Sequence, residues 1–294
     1  MSFKRNNWIF ILIFVISLAL VFSEEQLFQI LKASKPVSNE IVIGFSNHPS
    51  WWPWMVAEEE KIFAANNLNA KLKWYDNYSD SIRDFRLGNL DANSELIVGK
   101  AEIQNLENSK KVTVLINNYS RGEDQLIVKP GINKIEDLAG KRVLAESNDV
   151  LNLFLKNNRL LKNKLDIQIL ETGLASSAFV TDENIDAIIS YPPYSDIALR
   201  IKGSKAIASS ADFPEEIARM LVVHNDLANQ SPELIEKLKE SWFESLDYIY
   251  ENPIKAKIVM ANKLNLEGDQ VVQAREAVKL IGKKGNSLFL TKHN

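Results

Sequence analysis

Short apolar runs alternate with amphipathic stretches from Ile41 onward, and this alternation limits the chain to few folds. The first apolar runs are IVIGF, AKLKWY, ELIVG and KVTVLIN, and the stretches between them include WMVAEEEKIFAANN and SDSIRDFRLG. This pattern is typical of βα units whose strands form a mainly parallel sheet. The sequence therefore predicts an α/β fold.

A second series of the same kind follows the segment YSRGED. Its apolar runs include QLIVK, KRVLAE, LDIQIL, IDAIIS and SKAIASS, and it repeats the architecture without repeating the sequence. RMLVVH then reads as one more strand, and the chain from about Asp226 reads as helices, with a start at Ser231 and Pro232 and a break at Asn252 and Pro253. A chain of 294 residues with 46% hydrophobic content can bury two modest cores, so two lobes are expected.

The first residues read as a targeting segment. Lys4 and Arg5 precede the apolar run WIFILIFVISLALVF, which ends before Ser23 and Glu24. This order predicts a signal peptide at residues 1–23, cleaved near Ser23. An uncleaved membrane anchor is the alternative, because the run is only slightly shorter than the roughly 20 residues that span a bilayer. With either outcome we expect the rest of the chain to be periplasmic.

Composition and motifs exclude several functions. The chain has no cysteine, so disulfides and thiolate chemistry are absent, and a formal net charge of −3 argues against nucleic acid as a partner. No phosphate-binding glycine loop, dinucleotide fingerprint, G-x-S-x-G elbow or H-E-x-x-H helix occurs. His48, His224 and His293 lie far apart and are interpreted as surface or loop residues rather than metal ligands. The sequence therefore predicts no catalysis, no metal and no cofactor.

Trp51, Trp52 and Trp54 directly follow the first predicted strand. At the carboxyl end of a parallel strand, such rings can line a ligand pocket. They can also cap the hydrophobic core at the start of the next helix. Helical phasing from Pro53 assigns Trp54 to the core and leaves Trp51 and Trp52 for a pocket.

The segment IGFSNHPSWWPWMVAEEEKIFAANNL resembles the first part of the nitrate, taurine and aliphatic-sulfonate class of ABC-importer substrate-binding proteins. AEEEKIF is similar to the A-x-x-x-G-x-F turn of that class, with Lys61 where glycine is usual. The similarity continues through IEDLAGKRVLAESNDVLNLFL and ETGLASSAFVTDENIDAIISYPPYSDIAL. The order and spacing of these segments carry the resemblance, which runs from about Ile41 to the last helices.

The resemblance implies a two-lobed periplasmic-binding-protein fold of type 2, in which the chain crosses twice between the lobes and the ligand lies in the cleft. It implies a first lobe at residues 41–122 and 212–294 and a second lobe at residues 123–211. The implied function is capture of a small-molecule solute and its delivery to an ABC permease in the membrane. The protein is then expected to act as a monomer and not as an enzyme.

Carried over residue by residue, the resemblance implies ligand contacts from both lobes and from the first crossing. The expected contact residues are Ser46, Asn47, Trp51, Trp52, Asn93 and Ser94 in the first lobe, Asn118, Ser120 and Arg121 at the crossing, and Asn148, Asp149, Val150, Gly173, Tyr191 and Pro193 in the second lobe. Two alternatives are structural. Asp149 can be a plain helix N-cap, and Asn93 with Ser94 can form a hydrogen-bonded turn.

The charge of the ligand stays open. Relatives bind sulfonates or similar anions with amides at helix starts, but the corresponding segment here reads ESNDV, and a carboxylate of Asp149 in the cleft would repel an anion. A tryptophan-lined cleft with an acid also suits an amine or a quaternary ammonium through cation–π contact. Two other functions on the same architecture remain as alternatives, a ligand-sensing input protein for a membrane partner and an enzyme like the pyrimidine synthases.

Overall fold

The strands form two five-stranded sheets in the computed structural model, which describes residues 40–105 and 110–293. The first sheet contains β1 (Ile41–Phe45), β2 (Ala70–Trp74), β3 (Ala92–Val98), β4 (Lys111–Tyr119) and β10 (Ile217–His224). The second contains β5 (Gln125–Val128), β6 (Arg142–Ala145), β7 (Asp166–Ile169), β8 (Ala187–Ser190) and β9 (Lys205–Ser209). Each sheet with its helices forms one lobe, so the two predicted α/β series are confirmed.

The two sheets share one topology. The strand orders are β2-β1-β3-β10-β4 and β7-β6-β8-β5-β9. In the first sheet β1 runs parallel to β2 and β3, while β10 lies antiparallel between β3 and β4. In the second, β6 runs parallel to β7 and β8, while β5 lies antiparallel between β8 and β9. Four of the five strands in each sheet therefore run in the same direction, which confirms the prediction of mainly parallel sheets, and the strand that arrives from the other lobe runs against its neighbours.

Helices cover the faces of both sheets. Those between strands of the first sheet are α1 (Pro53–Glu59), α2 (Ile62–Ala65), α3 (Tyr78–Arg86) and α4 (Lys100–Gln104). The second lobe carries α5 (Asn148–Phe154), α6 (Thr172–Thr181) and α7 (Tyr194–Leu199). After β10 follow α8 (Asn225–Gln230), α9 (Pro232–Glu251), α10 (Pro253–Leu264), α11 (Gly268–Ala277) and α12 (Lys283–His293). Short 3₁₀ helices lie at Pro49–Trp51, Ile135–Leu138, Arg159–Lys164 and Ser210–Asp212.

The predicted helix boundaries near the end of the chain are confirmed in position. Helix α9 begins at Pro232, and α10 begins at Pro253 directly after Asn252. Proline suits the first helical position because the amide hydrogen it lacks would have no partner there. Ser231 occupies the N-cap position of α9, but its side chain makes no capping hydrogen bond.

The chain passes twice between the lobes. Residues 120–124 lead from β4 to β5, and residues 210–216 lead from β9 back to β10. All strands of the first sheet thus fall inside the predicted first lobe, and all strands of the second inside the predicted second lobe. The exact bounds at residues 122–123 and 211–212 stay predictions.

Lys61 adopts a left-handed backbone conformation, with φ of 59°. It lies between α1 and α2, where the chain must turn before the second helix begins. A side chain in this conformation costs roughly 1 kcal/mol, which glycine avoids. The turn is therefore one that favours glycine, and this chain forms it with Lys61.

The core of the first lobe is built around tryptophan. Trp54 on α1 is fully buried, with its ring centroid 4.7 Å from that of Trp242 on α9 and 6.0 Å from that of Phe63. Helical phasing thus placed Trp54 correctly. The contact fixes α1, and with it the loop that precedes α1, against a helix from the end of the chain.

No helix in the residues that the structure describes is long and apolar enough to span a membrane. The predicted signal peptide at residues 1–23 lies outside the described residues. Its cleavage or retention stays a prediction.

Replacement of Trp54 by alanine is expected to lower the free energy of unfolding by roughly 3 to 5 kcal/mol, because it leaves a cavity between two helices. Trp74 offers a matched control, since its side chain is 39% exposed on the edge strand β2. Trp74→Ala should cost about 1 kcal/mol. Urea denaturation followed by far-ultraviolet circular dichroism measures both. Equal losses would contradict the central position of Trp54 in the core.

Candidate functional site

The two lobes meet where the loop after β1 faces the segment after β8. The hydroxyl of Tyr191 donates a hydrogen bond of 2.5 Å to the carbonyl oxygen of Asn47. The side-chain amide of Asn47 donates to the hydroxyl of Tyr194. Since both loops follow the carboxyl ends of parallel-paired strands, this is the position at which open α/β sheets bind ligands. We refer to the space between these loops as the cleft.

The first-lobe side of the cleft contains buried polar atoms that the protein does not pair. Ser46, Asn93 and Ser94 are almost completely buried. The hydroxyl oxygens of both serines and Oδ1 of Asn93 have no hydrogen-bond partner among the described residues. Leaving such an atom buried and unpaired costs about 1 to 3 kcal/mol. A protein normally retains such atoms only where they serve another partner.

Asn93 and Ser94 do not form the hydrogen-bonded turn that the sequence left open. Both residues lie within β3, where they pair with β10. A hydrogen bond of 3.5 Å links the side-chain amide of Asn93 to Oε1 of Glu95. Their place in a strand fixes their orientation more firmly than a turn would.

The tryptophan loop is more buried than the sequence predicts. Trp51 and Trp52 are 3% and 0% exposed and belong to the same hydrophobic core as Trp54. The 3₁₀ helix at Pro49–Trp51 turns these rings inward, which helical phasing from Pro53 alone does not reveal. Burial therefore does not distinguish Trp54 from the two rings that the sequence assigns to a pocket.

Trp51 and Trp52 nevertheless border the cleft. The ring of Trp51 stacks on Tyr78 at a centroid distance of 5.8 Å, and its Nε1 is buried without a described partner. Nε1 of Trp52 donates to Oδ1 of Asn47 at 3.3 Å. Trp52 thus orients the residue that contacts Tyr194. Direct stacking of either ring on a ligand stays a prediction.

His48 lies in this loop, as the sequence predicts, but it is buried rather than on the surface. It is 2% exposed, and its ring centroid lies 4.4 Å from that of Tyr191. Burial and the nearby Arg219 hold the pKa of His48 well below its usual value, so the ring is neutral. Nδ1 accepts a hydrogen bond from the backbone amide of Ser50, so the proton resides on Nε2, which has no described partner.

His224 and His293 are the other two histidines of the chain. His224 ends β10 and is partly buried, with its ring stacked on Phe85 at a centroid distance of 4.1 Å. The side chain of His293 lies outside the described part of the chain. Within that part, no group of three histidine and acidic side chains is arranged to hold a metal ion.

Glu146 provides the acidic side of the cleft, although it was not among the predicted contact residues. It directly follows β6, and its Oε2 lies 3.5 Å from the hydroxyl of Tyr191 and 3.4 Å from that of Thr172. The other oxygen, Oε1, is buried without a described partner. Burial and the negative charge of Glu171 raise the pKa of Glu146 to about 7, and the positive charge of Arg219 opposes this shift.

Asp149, the acid that the sequence emphasised, lies at the rim. It is exposed in the first turn of α5, where its backbone amide donates to Oγ of Ser147 at 3.4 Å. Ser147 is the N-cap, so the interpretation of Asp149 as a plain N-cap is wrong. Asp149 lines a groove that also includes Glu95, Glu102 and Lys111 of the first lobe.

The other predicted second-lobe contacts divide between surface, core and cleft. Asn148 is exposed, and Val150 is buried in the second lobe's hydrophobic core. Gly173 lies in α6, where a Cβ atom would come within 3.0 Å of the ring of Tyr194. Pro193 directly precedes α7, which begins at Tyr194. Gly173 and Pro193 therefore adjoin the tyrosine that contacts Asn47 rather than contributing polar groups of their own.

Asn118 and Ser120 are engaged by protein groups at the crossing. Asn118 accepts from Oγ of Ser50 at 2.8 Å and donates to Oε1 of Glu123 at 2.7 Å. Oγ of Ser120 lies 2.5 Å from Oδ2 of Asp124 and 2.6 Å from Oγ of Ser210. Asn118 thus links β4 to the loop after β1 and to the first crossing segment, and Ser120 links the two crossing segments to each other. Their side chains have few positions left for a ligand.

A buried ion pair fixes the crossing. Arg219 on β10 donates to both carboxylate oxygens of Asp124, at 2.9 and 2.7 Å, and both side chains are almost completely buried. Arg121, which the sequence included in this segment, donates its backbone amide to Glu123. Sequence reasoning missed Arg219 because it lies inside an apolar strand. A single charged residue within the run IARMLVV was the available signal.

Glu146→Gln is expected to stabilise the protein at pH 8. The folded-state pKa of about 7 lies above the ordinary value of 4.5, so the ionised carboxylate costs stability that grows as the pH rises from about 4.5 to about 7. Glutamine avoids this cost. We expect a gain of about 1 to 3 kcal/mol at pH 8 and little difference near pH 4.

Urea denaturation of wild type and variant at both pH values tests this expectation. Glu183→Gln is the control, since Glu183 is exposed in a turn of the same lobe. It should change the free energy of unfolding at pH 8 by no more than about 0.5 kcal/mol, as exposed substitutions usually do. A loss of stability in Glu146→Gln at pH 8, or the same difference at both pH values, would contradict the described environment of Glu146.

Comparison with solved structures shows which known proteins share this fold. The alkanesulfonate-binding protein SsuA from Xanthomonas axonopodis pv. citri bound to MOPS is similar with a TM-score of 0.66 at 13% identity, covering 88% of this chain and 91% of that one. The periplasmic nitrate-binding protein NrtA from Synechocystis PCC 6803 gives 0.62 at 9%, covering 86% and 75%. The Candida albicans CA3427 gene product, described as having the generic periplasmic binding protein fold, gives 0.59 at 12%, covering 82% and 81%. The fold predicted from the sequence is thereby confirmed.

Sequence comparison identifies the family. No curated protein sequence matches the chain significantly. The family model described as NMT1/THI5 like matches residues 48–256, which contain the tryptophan loop, both crossings and the whole second sheet. The chain therefore belongs to the NMT1/THI5-like family.

Proposed function

We propose that this protein captures a small solute in the cleft between its lobes and delivers it to the membrane permease of an ABC importer. The observation that carries the proposal is the set of buried, unpaired polar atoms on both sides of the cleft. Ser46, His48 and Ser94 supply such atoms from the first lobe, and Glu146 supplies one from the second. A solute that pairs with atoms of both lobes gains most when the lobes are closed.

Closure is a movement between two arrangements of the lobes, and a ligand favours the arrangement in which it makes more contacts. The two crossing segments are the natural hinge, because they are the covalent connections between the sheets. Tyr191 and Asn47 join the lobes directly through the hydrogen bond of 2.5 Å. That bond forms only when the lobes approach each other, so it contributes to the closed arrangement.

The similar structures support this function by their own descriptions. One is an alkanesulfonate-binding protein and another is a periplasmic nitrate-binding protein. A protein that delivers a solute must release it unchanged, so we propose that the chain has no catalytic activity. We further propose that it is an exported monomer, with the predicted signal peptide at residues 1–23 directing it to the periplasm.

A ligand screen with matched tyrosine variants tests solute capture. Thermal shift over sulfonates, carboxylates, amines and betaines should identify a compound that stabilises the protein, by about 2.7 kcal/mol at 100 times its Kd. Tyr191→Phe should weaken binding of that compound three- to tenfold, because it removes a net contribution of about 0.5 to 1.5 kcal/mol to closure. Tyr250→Phe is the control, since Tyr250 is 86% exposed.

Mass spectrometry of the compound after incubation completes the test. Recovery of the unchanged compound is expected. A chemically altered product would favour the enzyme alternative. Absence of binding by every class of compound, or an equal effect of the two tyrosine variants, would contradict capture in the cleft.

A further inference from the structure

One carboxylate oxygen in the cleft has no protein group to neutralise it. Oε2 of Glu146 contacts the hydroxyls of Thr172 and Tyr191, whereas the buried Oε1 has no described partner. Two neutral hydroxyls do not balance a carboxylate charge. Burying an acid without a counter-charge is costly, so this arrangement calls for a positive or donating group from outside the protein.

Arg219, the positive charge that opposes the pKa shift of Glu146, is already paired. Arg219 places both of its terminal nitrogens on the carboxylate of Asp124, which leaves only its Nε unpaired. Glu171 and Asp124 are negative and raise the pKa of Glu146, so the charges around it are mainly acidic. A bound anion would therefore meet repulsion at this point of the cleft.

Aromatic rings stand beside the same carboxylate. Tyr191 contacts Glu146 directly, and the rings of Tyr191 and His48 lie 4.4 Å apart by their centroids. The ring of Tyr194 lies 6.1 Å from that of Tyr191 at an angle of 75°. Aromatic faces next to an acid are the surroundings in which proteins bind ammonium groups.

We infer that the cleft binds its solute through a positively charged ammonium nitrogen held against Oε1 of Glu146 and flanked by the rings of Tyr191 and Tyr194. This inference rests on the proposed function and names the class of solute. It differs from what the similar sulfonate- and nitrate-binding structures bind by their descriptions. Glu146, rather than the exposed Asp149, is then the residue that selects the charge of the ligand.

Binding of such a solute should depend on pH through Glu146. A cation binds the ionised carboxylate, and the pKa of about 7 means that most of the carboxyl is protonated at pH 6. The apparent Kd equals the intrinsic Kd divided by the fraction of Glu146 that is ionised, so binding weakens as the pH falls. The charged and titratable groups that face Glu146 are Glu171, Asp124, Arg219, Tyr78, Tyr191 and Tyr194.

Most of these neighbours keep one charge state between pH 6 and pH 8. Burial raises the pKa values of Tyr78, Tyr191 and Tyr194, with that of Tyr194 at about 12, so all three stay neutral. The raised pKa of Arg219 keeps it charged. Glu146 therefore dominates the pH dependence in this range.

Three probes of similar size and different charge test the inference by isothermal titration calorimetry at pH 8. They are choline, its neutral carbon analogue 3,3-dimethylbutan-1-ol, and the anion 2-hydroxyethanesulfonate. We expect choline to bind wild type at least tenfold more tightly than either of the others. Glu146→Gln should abolish that preference, and Asp149→Asn should change the Kd for choline less than threefold.

The pH dependence supplies a second readout. The Kd for choline should rise about tenfold between pH 8 and pH 6 in wild type and in Asp149→Asn, while any residual binding by Glu146→Gln should not change. Tighter binding of the anion or of the neutral analogue, or equal effects of the two variants, would overturn the inference while leaving solute capture intact. Failure of all three probes and of the wider screen to bind would instead contradict the proposed function.

Discussion

The buried ion pair between Arg219 and Asp124 is the interaction on which the arrangement of the lobes depends. It joins β10, the last strand of the first sheet, to the segment that leads into the second sheet. Removing one partner from a buried pair commonly costs about 3 to 5 kcal/mol, because the other charge is left without compensation. Ser120 and Ser210 add hydrogen bonds between the two crossing segments. The crossing segments, which are the hinge of the proposed function, are thus held together by polar contacts.

The ion pair at the crossing also determines which charged groups are available in the cleft. Both terminal nitrogens of Arg219 are paired with Asp124, so they are not available to a ligand. Glu146 on the opposite side keeps an unpaired oxygen and an elevated pKa. The same acid that reduces the stability of the empty protein can then contribute to affinity. Such a conflict between stability and function is common at binding sites.

Strands and lobes were predictable because their signal is periodic and local. Each apolar run from IVIGF to RMLVVH became a strand, and the carboxyl end of β1 leads to Asn47, which contacts the second lobe. The antiparallel place of β10 was not predictable, since it depends on where the chain re-enters the first sheet. The phase of Trp54 followed from the helix, whereas the burial of Trp51 and Trp52 depends on an intervening 3₁₀ turn.

The chemistry of the cleft was harder to predict than its location. Glu146 and Asp149 lie three residues apart, and only packing decides that the first enters the cleft while the second faces solvent. His48 is isolated in the sequence, so its burial against Tyr191 depends on a contact between residues far apart in the chain. In the sequence, Arg219 interrupts an apolar strand, and only its buried contact with Asp124 explains its position. Long-range pairing of this kind leaves no periodic trace in a single sequence.

A crystal structure of the protein with a bound solute tests the central claim most directly. The account predicts that the solute lies between the lobes, with atoms within about 4 Å of both Glu146 and the loop at residues 46–48. Contacts from both lobes would establish that closure and binding are the same event. A solute bound to one lobe alone, or on the outer surface away from these residues, would contradict the account.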